Sequence, residues 1–494
     1  MMKTNLKGSL LALALMAAGT IQAAEERQSN AAEQIGLAVT IYNSDLALVK
    51  DARRVKVVNG ENLLAWRDVS AQIQPETALL RTLDGRRISL LEQNFDFDLL
   101  TPQKLLEKSV GESVRVIRHQ PITGVEISEY ATVLSANNGV VLKFSDRVET
   151  ALPNPGRLAF PAVPPYLRDR PTLSMLFKTE VSTPFFAGAK TPVDQDMELS
   201  YLTAGMTWKA DYVAELSTKE DSVDLNGWVT LTNTSGTTYN NARLQLVAGA
   251  VNRVQPEREP VPMMAKTMVD RAQPMQEEGL FEYHLYTLDR LTTLMDNQTK
   301  QVALLSAQKV PVDKEYRLSG DEWYYGSQQG DLGKKLKPGV YMEFTNKAEK
   351  GEAAGLGVPL PKGVVRVYKK DSAGRAQFIG EDRIDHTAKG ETIKLKLGEA
   401  FDITAEKKQV DFQKLAAPAF NARGSLIETA YQLEIRNAKT EKVVVTVVEP
   451  ISGEWQMLQE SHPHRKANAR QAVWDVPVPA EGKAMLSWRV RVKY

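Results

Sequence analysis

From residue 38 onward, apolar and polar positions alternate in short runs bounded by turn residues, a period-2 pattern that predicts β-strands. Val39-Thr40-Ile41-Tyr42 and Leu46-Ala47-Leu48-Val49 flank the turn signal Asn43-Ser44-Asp45. Asn59-Gly60 and Asp84-Gly85 are further turn dipeptides, since these residues adopt positive φ cheaply. Asn137-Asn138-Gly139 separates Ala131–Leu134 from Val140–Phe144 and predicts a hairpin. One helix stands out: Thr101 suits the N-cap, Pro102 the first helical position, and Leu105, Leu106 and Val110 supply an apolar face before Gly111.

Prolines 153, 155, 161, 164, 165 and 171 crowd the stretch 151–171, which reads as an ordered connector because proline cannot donate to a sheet. It separates an N-terminal β domain, 38–150, from a central β-sandwich region, 172–419. The clearest central strands are Met197–Leu202, Trp208–Leu216, Trp228–Asn233 and Ala242–Ala248, with a turn at Thr234-Ser235-Gly236. Residues 255–280 interrupt this region: proline, glutamate, glutamine and methionine dominate, and a mobile segment is expected. Strand patterns resume and close in a C-terminal domain, 420–494, expected to be immunoglobulin-like. The fold class is therefore mainly β: multi-domain antiparallel β-sandwiches with one or two short helices.

Residues 1–23 add a destination. Lys3 and Lys7 precede the apolar run Leu10–Ala18, and Ile21-Gln22-Ala23 ends in a small residue, the pattern of an export signal cleaved at Ala23 or the next alanine. The run is too short to span a bilayer, and no later run approaches that length, so no transmembrane helix is expected after signal removal. The expected location is the periplasm or cell envelope. Cysteine is absent, which excludes disulfides, thiolate ligands, a cysteine nucleophile and a lipidated cysteine. With 62 Lys plus Arg against 61 Asp plus Glu, bulk charge offers no attraction to nucleic acid.

Four stretches resemble one exported bacterial family, that of domain of unknown function 4139, whose relatives are sometimes labelled mucoidy-inhibitor-like. They are Leu91-Glu92-Gln93-Asn94-Phe95-Asp96-Phe97-Asp98-Leu99-Leu100, the run from Tyr201 to Tyr212, the run from Asn226 to Asn233, and Phe281-Glu282-Tyr283-His284-Leu285-Tyr286. The resemblance implies an envelope location and β-rich domains. It implies no activity and carries over no site residues.

Candidate chemistry is sparse. Glu92, Asn94, Asp96 and Asp98 would share one face of a strand while Phe95, Phe97 and Leu99 face the core. Glu92, Asp96 and Asp98 are the candidates for a metal, but same-face neighbours lie about 6.6 Å apart, so one strand cannot close a calcium shell and a solvated face is the plainer reading. His462-Pro463-His464 places two imidazoles close together without a third ligand and beside Arg465 and Lys466. Met263, Met264, Met268 and Met275 could meet copper(I), although Pro274 would break their helix. No cofactor is expected, and no nucleophile–base set is visible. Trp208 and Tyr212 could anchor a partner but suit a core equally well.

The reading that follows is a non-enzymatic scaffold or binding protein whose partner is another envelope protein or a glycan. The alternative is an exported carboxylate-dependent hydrolase of glycan or peptide, with Asp96 or Asp98 as one member of the pair. A second alternative is an outer-membrane β-barrel, suggested by the alternation of Leu486, Trp488, Val490, Val492 and Tyr494 with Ser487, Arg489, Arg491 and Lys493.

Overall fold

The computed structural model describes residues 26–120, 124–137, 139–152, 156–164, 167–180, 191–249, 275–280, 283–348, 355–415 and 425–494. Residues 1–23 with Ala23, and Met263, Met264 and Met268, lie outside these. The protein is mainly β, and Pro102–Glu107 is the one α-helix among the described residues. The sheets are mixed rather than purely antiparallel. Among the described residues, parallel pairs include Glu26–Ser29 with Gly60–Arg67, Gln34–Tyr42 with Tyr239–Ala248, Met206–Leu216 with Gly363–Lys370, and Asp313–Ser319 with Val443–Pro450. Parallel neighbours cannot be joined by a tight hairpin, so each such pair brings together segments distant in sequence, a relation that local alternation does not encode. No helix among the described residues is long and apolar enough to cross a membrane.

The chain divides into two compact units, one of residues up to Leu37 with Val49–Leu202, the other of Ala38–Leu48 with Thr203–Tyr494. In the first, Glu26–Ser29, Gly60–Arg67, Thr172–Thr179 and Ile88–Asp96 form a four-stranded sheet in that order. Its alternating inward residues Leu64, Trp66, Leu173, Met175 and Phe177 are buried. A separate five-stranded sheet contains Ser113–His119, Glu126–Ser135 and Gly156–Ala159, the last lying within the proline-rich stretch 151–171. Val114, Val116, Val133, Leu142 and Phe144 form its core, and Leu106 of the helix packs on it. Thr101 caps that helix as its sequence predicts, its side chain accepting from Lys104 N at 3.1 Å, whereas Val110 is exposed rather than on the packed face.

In the second unit, Gln298–Pro311, Ser222–Asn233, Met206–Leu216, Gly363–Lys370 and Ala376–Ile384 form a five-stranded sheet. Tyr239–Ala248 pairs with residues 38–42 on one side and with Tyr283–Thr287 on the other, and Gln276–Leu280 extends the pairing. Residues 276–280 of the segment expected to be mobile are thus a strand.

The C-terminal part is a two-sheet sandwich. Its first sheet runs Thr392–Glu399, Gly339–Thr345, Asp313–Ser319, Val443–Pro450, Gln471–Val478, Arg465–Asn468, and its second Asp331–Leu336, Ile403–Leu415, Leu426–Asn437, Lys483–Lys493, Glu454–Glu460. Residue 420 falls between two strands that pair antiparallel, Ile403–Leu415 and Leu426–Asn437. The last strand lies between Leu426–Asn437 and Glu454–Glu460, and its row Leu486, Trp488, Val490, Val492 is buried in the sandwich core with Trp474 and Tyr431.

Two charged pairs lie inside these cores. Arg53 donates to Asp51 from Nε at 3.0 Å and Nη2 at 2.6 Å, and stacks over Trp66, whose indole N–H also donates to Asp51. In the C-terminal sandwich, Lys407 and Glu449, each 2% exposed, meet at 2.6 Å. Tyr325 donates to the same Glu449 oxygen at 2.8 Å, and the ammonium sits 4.1 Å from the centre of the Tyr324 ring. Burial lowers the Lys407 pKa, with the Glu449 carboxylate opposing that shift.

Candidate functional site

The residues singled out from sequence do not converge. The strand ends at Asp96, so the expected row is broken. Phe97 is 70% exposed and Leu99 is also exposed, which corrects their placement in the core: beyond Asp96 the chain leaves the sheet and the period-2 argument lapses. Glu92 accepts from Asn94 on the strand's outer face. Asp96 turns to Arg168 and Ser174, and Asp98 to Lys104 and Lys108. Among the described residues, no group of three or more His, Asp or Glu side chains is arranged to hold a metal. His464 bonds Glu460 and packs between Trp455 and Trp474, while His462 faces Ser461, so the two imidazoles diverge. Trp208 and Tyr212 are buried, the latter donating to Pro361 O at 2.7 Å.

The second unit contains a concave feature that none of those residues lines. A pocket of about 240 Å³ is walled by Leu216, Val312, Val340, Met342, Ile379 and Leu397, and carries Glu220, Lys314 and Lys369. Local irregularities build it. Ile379 is an extra residue where Val367 faces Gly380 but Tyr368 faces Phe378. Leu397 is likewise extra where Val340 faces Gly398 but Tyr341 faces Lys396. Such bulges re-aim a side chain, here sending one aliphatic from each of two sheets toward one cavity.

The glycine after each bulge takes a backbone conformation open to little else, φ +152° at Gly380 and +155° at Gly398. At Gly380 a Cβ would also stand 2.3 Å from Leu397 O. Both bulges share the sequence aliphatic-Gly-Glu, Ile379-Gly380-Glu381 and Leu397-Gly398-Glu399. An isolated glycine inside a strand pattern was the available signal.

The third irregularity is Glu220, in the turn that joins Met206–Leu216 to Ser222–Asn233. Its φ is +62°, a left-handed conformation uncommon for a non-glycine residue. Ser217 closes the turn with an N–H bond to Ser222 O at 2.8 Å, and Val312 N donates to Asp221 O at 3.1 Å. So placed, the Glu220 carboxylate accepts from Lys314 at 2.5 Å with one oxygen and from Lys369 with the other. Burial works to raise its pKa, but the two ammonium groups prevail and hold it at about 2. Lys314 is raised above its ordinary value: burial opposes its charge, and bonds to Glu220 and Tyr316 outweigh that.

All these residues fall within 197–494, the span matched by the family model of a domain of unknown function, DUF4139. The chain belongs to the DUF4139 family. No curated protein matches it. The DUF4139 span includes the whole C-terminal sandwich and the pocket, and it leaves out residues 38–48 although they pack in the same compact unit.

Chemically, the DUF4139 pocket can bury an apolar group and engage charge at one place. A general acid needs a carboxyl that stays protonated near neutral pH, and Glu220 is held far from that state.

Proposed function

We propose that this DUF4139 protein is a non-enzymatic binding protein, exported to the periplasm or cell envelope, that holds a small apolar ligand in the pocket between Leu216 and Leu397. The observation that carries this reading is the pair of bulges that place Ile379 and Leu397 on one cavity with aliphatic walls and a single ion-paired triad. Ligand sites are typically apolar clefts with a few oriented polar groups. Asp96 and Asp98, the carboxylates a hydrolase would have used, are engaged by arginine and lysine and lie outside the pocket. Export rests on the basic, apolar and small-residue order of residues 1–23.

The test is titration with the neutral apolar dye N-phenyl-1-naphthylamine. Saturable fluorescence gain at one site is expected, lost in Leu397→Trp and in Ile379→Trp while both variants keep the wild-type circular dichroism. No dye uptake by the wild type would sink the reading.

A second reading has its own observation. Ile88–Asp96 is an edge strand of its sheet, with Leu90 and Leu91 exposed, so another envelope protein could be recruited there by strand pairing. In-cell cross-linking from position 90 should then capture one recurrent adduct; a pattern no different from that of an exported control would reject it.

A further inference from the structure

We propose that the pocket's ligand carries a single anionic head, of the carboxylate kind, on a short apolar body, with the head seated between Lys314 and Lys369. This rests on the small-ligand reading above and names its chemistry. The charged side chains drawn out of bulk water at the pocket are two cations and one anion: Lys314, Lys369 and Glu220, with side chains 30%, 29% and 32% exposed. Glu399 also lines the cavity, as a residue exposed like Lys314, and stands outside the triad that Glu220 forms with the two lysines. Glu220 thus meets two ammonium groups with one carboxylate, so this triad carries one positive charge in excess beside an aliphatic wall. Each ammonium has three N–H donors; Lys369 gives one to Glu220, and Lys314 one to Glu220 and one to Tyr316, so each keeps at least one for a second carboxylate.

Glu220 itself shows what the site accepts. Its carboxylate bridges the same two lysines that an incoming head would use, and it is delivered there by a turn residue in a strained conformation. It acts as an internal stand-in for the ligand's head and competes with it.

The experiment measures displacement of N-phenyl-1-naphthylamine by octanoate, octanol and octylamine, which share one chain and differ in head charge. Octanoate is expected to displace the dye at a roughly three- to tenfold lower concentration than octanol, with octylamine weakest. Lys314→Met and Lys369→Met should bring octanoate to the level of octanol and leave octanol unchanged. Glu220→Gln should strengthen octanoate alone. Lys314→Gln and Lys369→Gln, checked for wild-type circular dichroism and cooperative melting, guard against misfolding of the methionine variants. Dye uptake with equal displacement by all three compounds, or lysine variants that weaken octanoate and octanol alike, would overturn the inference and leave the pocket reading standing. Absence of dye uptake would remove both.

Discussion

Single residues decide the two most unusual features of the interior. Lys407 and Glu449 are fully buried partners, and removing one leaves the other charged and unpaired in the core. Lys407→Met should cost about 3–5 kcal/mol in urea unfolding, and adding Glu449→Gln should recover more than half of it. A double variant no more stable than the single would show that Tyr325 and the ring of Tyr324, rather than the ion pair, hold this core together. Glu220 sets a pH dependence. Its folded-state pKa, about 2, lies below its ordinary 4.5, so the folded state binds fewer protons than the unfolded one between those values. Its contribution is complete above about pH 4.5 and is lost as pH falls through 2. The melting temperature of the wild type should exceed that of Glu220→Gln at pH 6, with the gap closing toward pH 2; a constant gap would refute the linkage.

The elements were legible in the sequence wherever alternation met a turn. Asn43-Ser44-Asp45 and Thr234-Ser235-Gly236 do separate strands, and the Thr101 cap starts the helix. The buried charges could also have been read there: Ile403, Ala405 and Lys407 alternate inward, as do Val443, Val445, Val447 and Glu449, and Val49, Asp51, Arg53 and Val55. Polarity argued against core positions that the period already assigned. The pocket was hidden for a different reason. Its walls come from residues 216 to 399, and no local pattern states that two bulges in different sheets meet.

Arg168 shows how one side chain can hold an element. It engages Glu26 with two nitrogens, at 2.7 and 2.8 Å, and Asp96 with Nε at 2.9 Å, while Arg53 donates to Ser29 O at 2.9 Å. The four-residue strand Glu26–Ser29 is thus tied at both ends. In Arg168→Met, amides of residues 26–29 should exchange hydrogen at least tenfold faster, with Thr172–Thr179 little changed. Equal acceleration of both strands would mean that the sheet opens as one.

At the scale of the molecule, the family span and the compact unit do not coincide. Val39 and Ile41 are buried, and residues 38–42 pair with 243–247, yet the DUF4139 match begins at 197. A fragment of residues 197–494 should melt several degrees below the full chain, because the edge at Tyr239–Ala248 is uncovered and apolar surface is exposed. A synthetic peptide of residues 38–48 should raise its melting temperature in a saturable manner. A fragment as stable as the whole, and indifferent to the peptide, would show that this strand is dispensable.

That same strand sets a timetable. Thr40 and its bonding partner Gln245 are 205 residues apart, so at about 5–20 residues per second a ribosome finishes the first strand roughly 10–40 s before its neighbour exists. The unit cannot close early, however fast its hairpins form. A chain whose residues 38–42 must wait some two hundred residues for their parallel neighbour keeps an open apolar edge during synthesis, and must meanwhile be kept from sticking to others of its kind.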